Sequence, residues 1–137
     1  MLLRQRHGFQ IPASADFMAM AEWARQRAME SEDPAVAFAA ANVPIFTMPY
    51  PTTGMAQAGG CGSCTYLGLW ASDWPGYEPS EHGIIWLFEH GITTRARNGD
   101  VQQQTLLTLE HEIDHALQRD HVLEAMQRQG LRPEACG

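Results

Sequence analysis

Apolar residues recur at helical spacing in two stretches of this chain and run without interruption in a third. Phe17, Met20, Ala21, Trp23 and Ala24 supply much of the apolar face of a helix expected from Ala15 to about Glu30. Ser14 is placed to cap that helix, and Asp16 suits its first turn. Leu106, Leu109, Ile113 and Leu117 form one apolar stripe on a second helix, which Val101 to Glu110 lead into and Asn98 or Asp100 can cap. Gly83-Ile84-Ile85-Trp86-Leu87-Phe88-Glu89 is apolar on both faces and is the clearest strand. His90-Gly91 is expected to end or bulge it, with a polar link running on to the second helix.

The intervening residues complete an α+β pattern. Asp33-Pro34 interrupts the first helix, and Ala35 to Ala41 are expected to form a short one. Val43 to Tyr50 looks extended, and its two prolines predict an edge strand or a bend. Pro51 to Ser63 reads as a loop of small residues, Thr65 to Trp70 as a strand, and Asp73 to Pro79 as a turn-rich connection. No internal repeat or domain boundary is visible. The expected architecture is a small single α+β domain spanning 1–137, its short mixed or antiparallel sheet packed against the N-terminal and C-terminal helices.

Composition narrows the function classes. Hydrophobic residues make up 45% and charged residues 18%, so the chain has the means to fold around a core. The net charge of −7, with only the short Arg4/Arg6 and Arg95/Arg97 pairs, disfavours tight non-specific binding to nucleic acid or an acidic membrane. No apolar run has the length of a transmembrane helix, and Met1 to His7 lack the apolar core of a signal peptide, so a cytoplasmic protein is expected.

The chemistry concentrates in His111-Glu112-Ile113-Asp114-His115. Positions four apart on a helix lie about 40° apart around it and about 6 Å along it. Both imidazoles can therefore converge on one zinc ion, with Glu112 beside them as a general base rather than a ligand. His121 follows His115 by six residues and gives the spacing His-x3-His-x5-His. By the same wheel, His111 and His115 lie nearly opposite the apolar stripe, so the histidine face is expected to point away from the core. An unbroken helix would carry His121 about 240° around from His115 and about 9 Å further on. A three-histidine site therefore requires the helix to stop between Ala116 and Asp120.

A strand, a short connection and an HExxH helix in that order resemble the zincin metallopeptidases. The resemblance covers roughly residues 83 to 121 and implies a zincin-like fold. It also implies zinc held by His111 and His115, Glu112 as general base, and a peptide or protein substrate. In that superfamily the strand before the helix commonly borders the cleft. The metzincin subgroup carries HExxHxxGxxH, and His121 falls on its third ligand. Gln118 stands where those enzymes have glycine, and Met126 lies close after His121 for the methionine turn of that subgroup.

Two further families share parts of the pattern. Peptide deformylases carry HExDH, which residues 111–115 match including Asp114, and take their third ligand from an upstream cysteine. Cys61 and Cys64 are the candidates here, in Gly60-Cys61-Gly62-Ser63-Cys64, although the surrounding residues differ from the deformylase motif. The small bacterial rRNA-maturation endoribonuclease has HGxLHLxGxDH, whose ending Asp120-His121 fits. Glu112 and Gln118 replace glycines of that motif, and there is no basic groove.

The chemistry expected from this set is hydrolysis assisted by zinc, with Glu112 moving a proton from water to the leaving amine. Asp114 and Glu110 are candidates to orient the histidine rings. Trp70, Trp74, Tyr77 and Trp86 suit core and loop packing better than cleft walls. His82 and His90 are expected at the surface. The competing classes are a closed structural zinc site built from Cys61, Cys64 and two histidines, and a domain in which the motif is coincidental. The three cysteines, Cys136 included, are too few and odd in number for a disulfide framework.

Overall fold

A computed structural model describes residues 3–4, 12–58, 66–96 and 100–118. The fold is α+β, with helices and a mixed sheet in one small domain, as the pattern predicted. Strand β1 (Leu3–Arg4) is followed by helix α1 (Ala15–Met29) and helix α2 (Pro34–Asn42). The Ser14 hydroxyl accepts from the Phe17 N–H at 3.1 Å and starts α1. Asp33 accepts from the Ala35 N–H at 3.0 Å and starts α2, with Pro34 in its first turn.

Strand β2 (Ile45–Met48) comes next, then helix α3 (Thr53–Ala58), strand β3 (Gly68–Ala71) and strand β4 (Ile84–Phe88). Helix α4 (Glu89–Arg95) starts directly from β4, and α5 (Val101–Ala116) carries the motif. Asp100 caps α5 by accepting from the Gln103 N–H at 3.1 Å; Asn98, the other candidate, lies outside the described residues.

The sheet order is β1-β2-β4-β3, with β1, β2 and β4 mutually parallel and β3 antiparallel to β4. Side chains alternate across it. Ile45, Ile85 and Leu87 join the main core with Phe17, Ala21, Ala24, Leu109 and Ile113 from α1 and α5. Phe46, Met48, Ile84, Trp86 and Phe88 point the other way, into a second cluster completed by Met55, Tyr66, Trp74 and Tyr77. Both faces of β2 and β4 are thus covered, as parallel strands require. Among the described residues no helix is long and apolar enough to cross a membrane.

Four sequence expectations change. The stretch from Val43 to Tyr50 is not an edge: β2 lies between β1 and β4, fully buried. Its prolines flank the strand, and their carbonyls still accept, Pro44 from the Ile85 N–H and Pro49 from the His90 N–H, each at 3.0 Å. The loop expected over 51–63 contains α3, begun by Thr52, whose hydroxyl accepts from the Met55 N–H. The strand does end just before His90-Gly91, but a helix, α4, which contains that pair, follows where a polar link was expected. Finally, the strand that borders the helix at the sheet edge is β3, because β4 is interior. The aromatic side chains pack as expected: Trp86 is fully buried, and Trp74 and Tyr77 meet its ring edge-on at 5.6 and 5.3 Å.

Candidate metal centre

Helix α5 is held against the fold on more than one side. Leu109 and Ile113 are fully buried in the main core, with Leu106 and Leu117 partly buried against it, as the stripe predicted. The opposite side is not solvent. Gln104, Thr105, Thr108, His111, Glu112 and Asp114 are buried as well, and β3 packs over part of this surface. The histidine face was expected to turn from the core toward something else; on it His115 is exposed and His111 is buried, at 4% exposed. Beyond the apolar stripe, β3 supplies a second packed surface, against Thr108 and Glu112.

The two rings nevertheless converge. The Nε2 atoms of His111 and His115 stand 3.1 Å apart, with ring centroids 4.5 Å apart and planes crossed at 79°. Two imidazole nitrogens at the usual ~2.0–2.1 Å from one tetrahedral zinc stand about 3.3 Å from each other. The pair thus fits two positions of such an ion, and it presents the nitrogens that a helix-borne pair would offer. Glu112, between them in sequence, is 1% exposed and lies against Gly68 of β3. Of the two acids considered as partners for the rings, Asp114 is withdrawn from solvent at 1% exposed and Glu110 is half-buried.

The helix ends where a third histidine would need it to end. Ala116 is its last residue, and Gln118 takes φ +59°, the left-handed conformation. The Gln118 N–H donates to the His115 carbonyl at 3.1 Å, one of the two bonds of a Schellman-type helix end. Gln118 adopts the backbone conformation that favours glycine, despite its side chain. His121, Cys61, Cys64, Cys136 and Met126 lie outside the described residues. Among the described residues, no group of three or more His, Cys, Asp or Glu side chains is assembled for a metal ion.

His82 and His90 stay away from this centre. The His82 ring meets Phe38 edge-on at 5.6 Å, and the exposed His90 ring lies 4.9 Å from that of Tyr50. No role was legible in the sequence for Gly68, which lies against Glu112 and Thr108, or for Gln104, which is bonded to Thr108. Thr108 donates from its hydroxyl to the Gln104 carbonyl at 2.7 Å, and the Gln104 amide donates back to that hydroxyl at 3.3 Å. An isolated glycine in an otherwise apolar strand is the one signal that marks Gly68, as a place where another group approaches closely.

Compared with known proteins, the chain matches no family model and no curated sequence.

Proposed function

We propose that the chain is a zinc-dependent hydrolase that cleaves a peptide bond, with His111, His115 and His121 holding the metal and Glu112 acting as general base. The observation that carries this is the approach of the His111 and His115 Nε2 atoms to 3.1 Å beside a buried Glu112. The left-handed Gln118 supports His121 as the third ligand, because it ends α5 within the window the spacing demands. Zinc, when bound, polarises a scissile carbonyl and lowers the pKa of water toward neutrality. Glu112 takes the proton of the attacking water and delivers it to the leaving amine.

The sheet edge offers a place for an extended substrate. The Phe88 N–H donates to the Leu67 carbonyl at 2.9 Å, so Leu67, Leu69 and Ala71 direct their backbone groups toward β4. Those of Gly68 and Trp70 point outward, and among the described residues no strand pairs with them. A peptide or unfolded protein segment added along that edge passes beside Glu112.

The test is turnover of a mixture of unstructured peptides, read by mass spectrometry, by zinc-loaded wild type and Glu112→Gln. Cleavage by the wild type, falling about 10²–10⁴-fold in the variant with zinc retained, is the expected result. Zinc binding without cleavage contradicts the proposal and points to a structural zinc module. Release of formate from formyl-peptides alone would transfer the site to the deformylase-like alternative with a cysteine ligand.

A further inference from the structure

A β-carbon built on Gly68 would stand 3.1 Å from both Cγ and Oε2 of Glu112 and 3.0 Å from Cγ2 of Thr108. Each distance is shorter than ordinary carbon contact, at about 3.5–4.0 Å. The Gly68 backbone is outside the left-handed region, so what glycine supplies here is space. We propose that Gly68 is a positioning residue: the notch it leaves in the sheet edge seats the Glu112 carboxylate. The inference rests on the proposed role of Glu112 as general base, and it adds a group on another element that sets where that base sits.

Which neighbour would yield to a side chain at 68 follows from how each is held. Strand β3 cannot retreat, because Gly68 is paired opposite Leu87 and its neighbour Leu67 accepts from the Phe88 N–H. Helix α5 cannot retreat, because Leu109 and Ile113 are fully buried in the main core. Thr108 is fixed by its two hydrogen bonds with Gln104. Glu112 meets the new β-carbon through Cγ and Oε2 of a long side chain, whose several torsions let it adjust. A methyl group at 68 therefore displaces the carboxylate by a few tenths of an ångström while His111 and His115 keep their places. Misplacing a catalytic group by about 1 Å can cost roughly 100-fold in rate, so the smaller shift is expected to cost about 3–10-fold, in kcat more than in KM.

The experiment uses the full chain labelled with ¹³C at the glutamate side-chain carboxyls, the Glu112 resonance being assigned by its loss in Glu112→Gln. Gly68→Ala is expected to move that resonance, keep zinc, and lower kcat on the peptide mixture. Stability is measured in parallel for Gly68→Ala combined with Glu112→Asp and with Thr108→Ser. If Glu112 occupies the notch, the shortened aspartate recovers most of the stability lost and serine recovers little. An unmoved Glu112 resonance overturns the proposal. So does recovery by Thr108→Ser alone, which would make the contact one of packing against the threonine methyl. Should Gly68→Ala fail to fold by itself, the two double variants decide the same question by which of them folds. The resonance and the stability cycle need no turnover, so absence of peptide cleavage would count against the hydrolase and leave the seating of Glu112 to be judged separately.

Discussion

The His111 and His115 side chains meet at 3.1 Å between their Nε2 atoms, although the first ring is buried and the second is exposed. Metal binding and fold stability should therefore separate at these two positions. Each alanine substitution is expected to weaken zinc binding by more than about 100-fold, since each removes a proposed ligand. In the metal-free protein, His111→Ala is expected to cost about 1–3 kcal/mol and His115→Ala under about 0.5 kcal/mol. Zinc titration and urea denaturation of the apo variants check this. Equal stability losses would show that the burial asymmetry carries no energy.

Gln118 gives a prediction in the opposite direction. A residue with a side chain at left-handed φ costs about 1–2 kcal/mol, and glycine removes that cost while gaining freedom in the unfolded chain. Gln118→Gly is expected to stabilise the protein by about 0.5–1 kcal/mol, raising Tm by about 2–5 °C. A β-branched Gln118→Val should destabilise. Loss of stability in the glycine variant would contradict the end of α5 at this residue.

Gly91 is required by a close approach. A β-carbon there would fall 1.8 Å from the Tyr66 carbonyl oxygen and 2.7 Å from its carbon, both backbone atoms that cannot swing aside. Gly91→Ala should therefore cost at least about 3 kcal/mol, measured by the urea midpoint. A neutral substitution would mean that α4 does not lie on the Tyr66 backbone.

A local ion pair sets an acid-dependent contribution. Glu22 accepts from Arg25 Nη2 at 2.6 Å and Nε at 3.1 Å, and from the Gln26 amide at 3.1 Å. The Arg25 hydrogen bonds hold the Glu22 carboxyl below its ordinary value, against a smaller opposing effect of burial. Because the folded-state value is lowered, the stabilisation is complete above the ordinary glutamate pKa of about 4.3 and is lost as pH falls through the lowered value. Glu22 in turn raises the Arg25 guanidinium, which changes nothing in the accessible range because arginine stays protonated. Glu22→Gln is expected to cost about 0.5 kcal/mol near neutrality and nothing at about pH 2, by urea denaturation at the two pH values.

The elements legible in the sequence are those whose signals are local. Ser14 and Asp100 cap the helices they were expected to cap, and β4 follows its apolar run. Helices α3 and α4 were not legible for a physical reason. Each spans two turns or fewer, too short for periodicity, and each contains a glycine that argues against helix unless its long-range contact is known. Gly91 is helical because α4 must approach Tyr66. The interior position of β2 was hidden because prolines beside a strand and prolines within one look alike in a sequence. At the site, spacing alone identified His111, Glu112 and His115 as a constellation. The notch at Gly68 depends on β3 closing the sheet beside α5, a pairing between distant residues that no local pattern encodes.

Zinc-edge X-ray absorption with metal analysis decides whether His111, His115 and His121 together hold one zinc, as proposed. The samples are the wild type, His121→Ala and a Cys61→Ser/Cys64→Ser double variant. One zinc per chain with only nitrogen and oxygen neighbours, lost in His121→Ala and kept in the double cysteine variant, is the expected result. A sulfur neighbour that disappears with the cysteines, or a wild type that binds no stoichiometric metal, would contradict it.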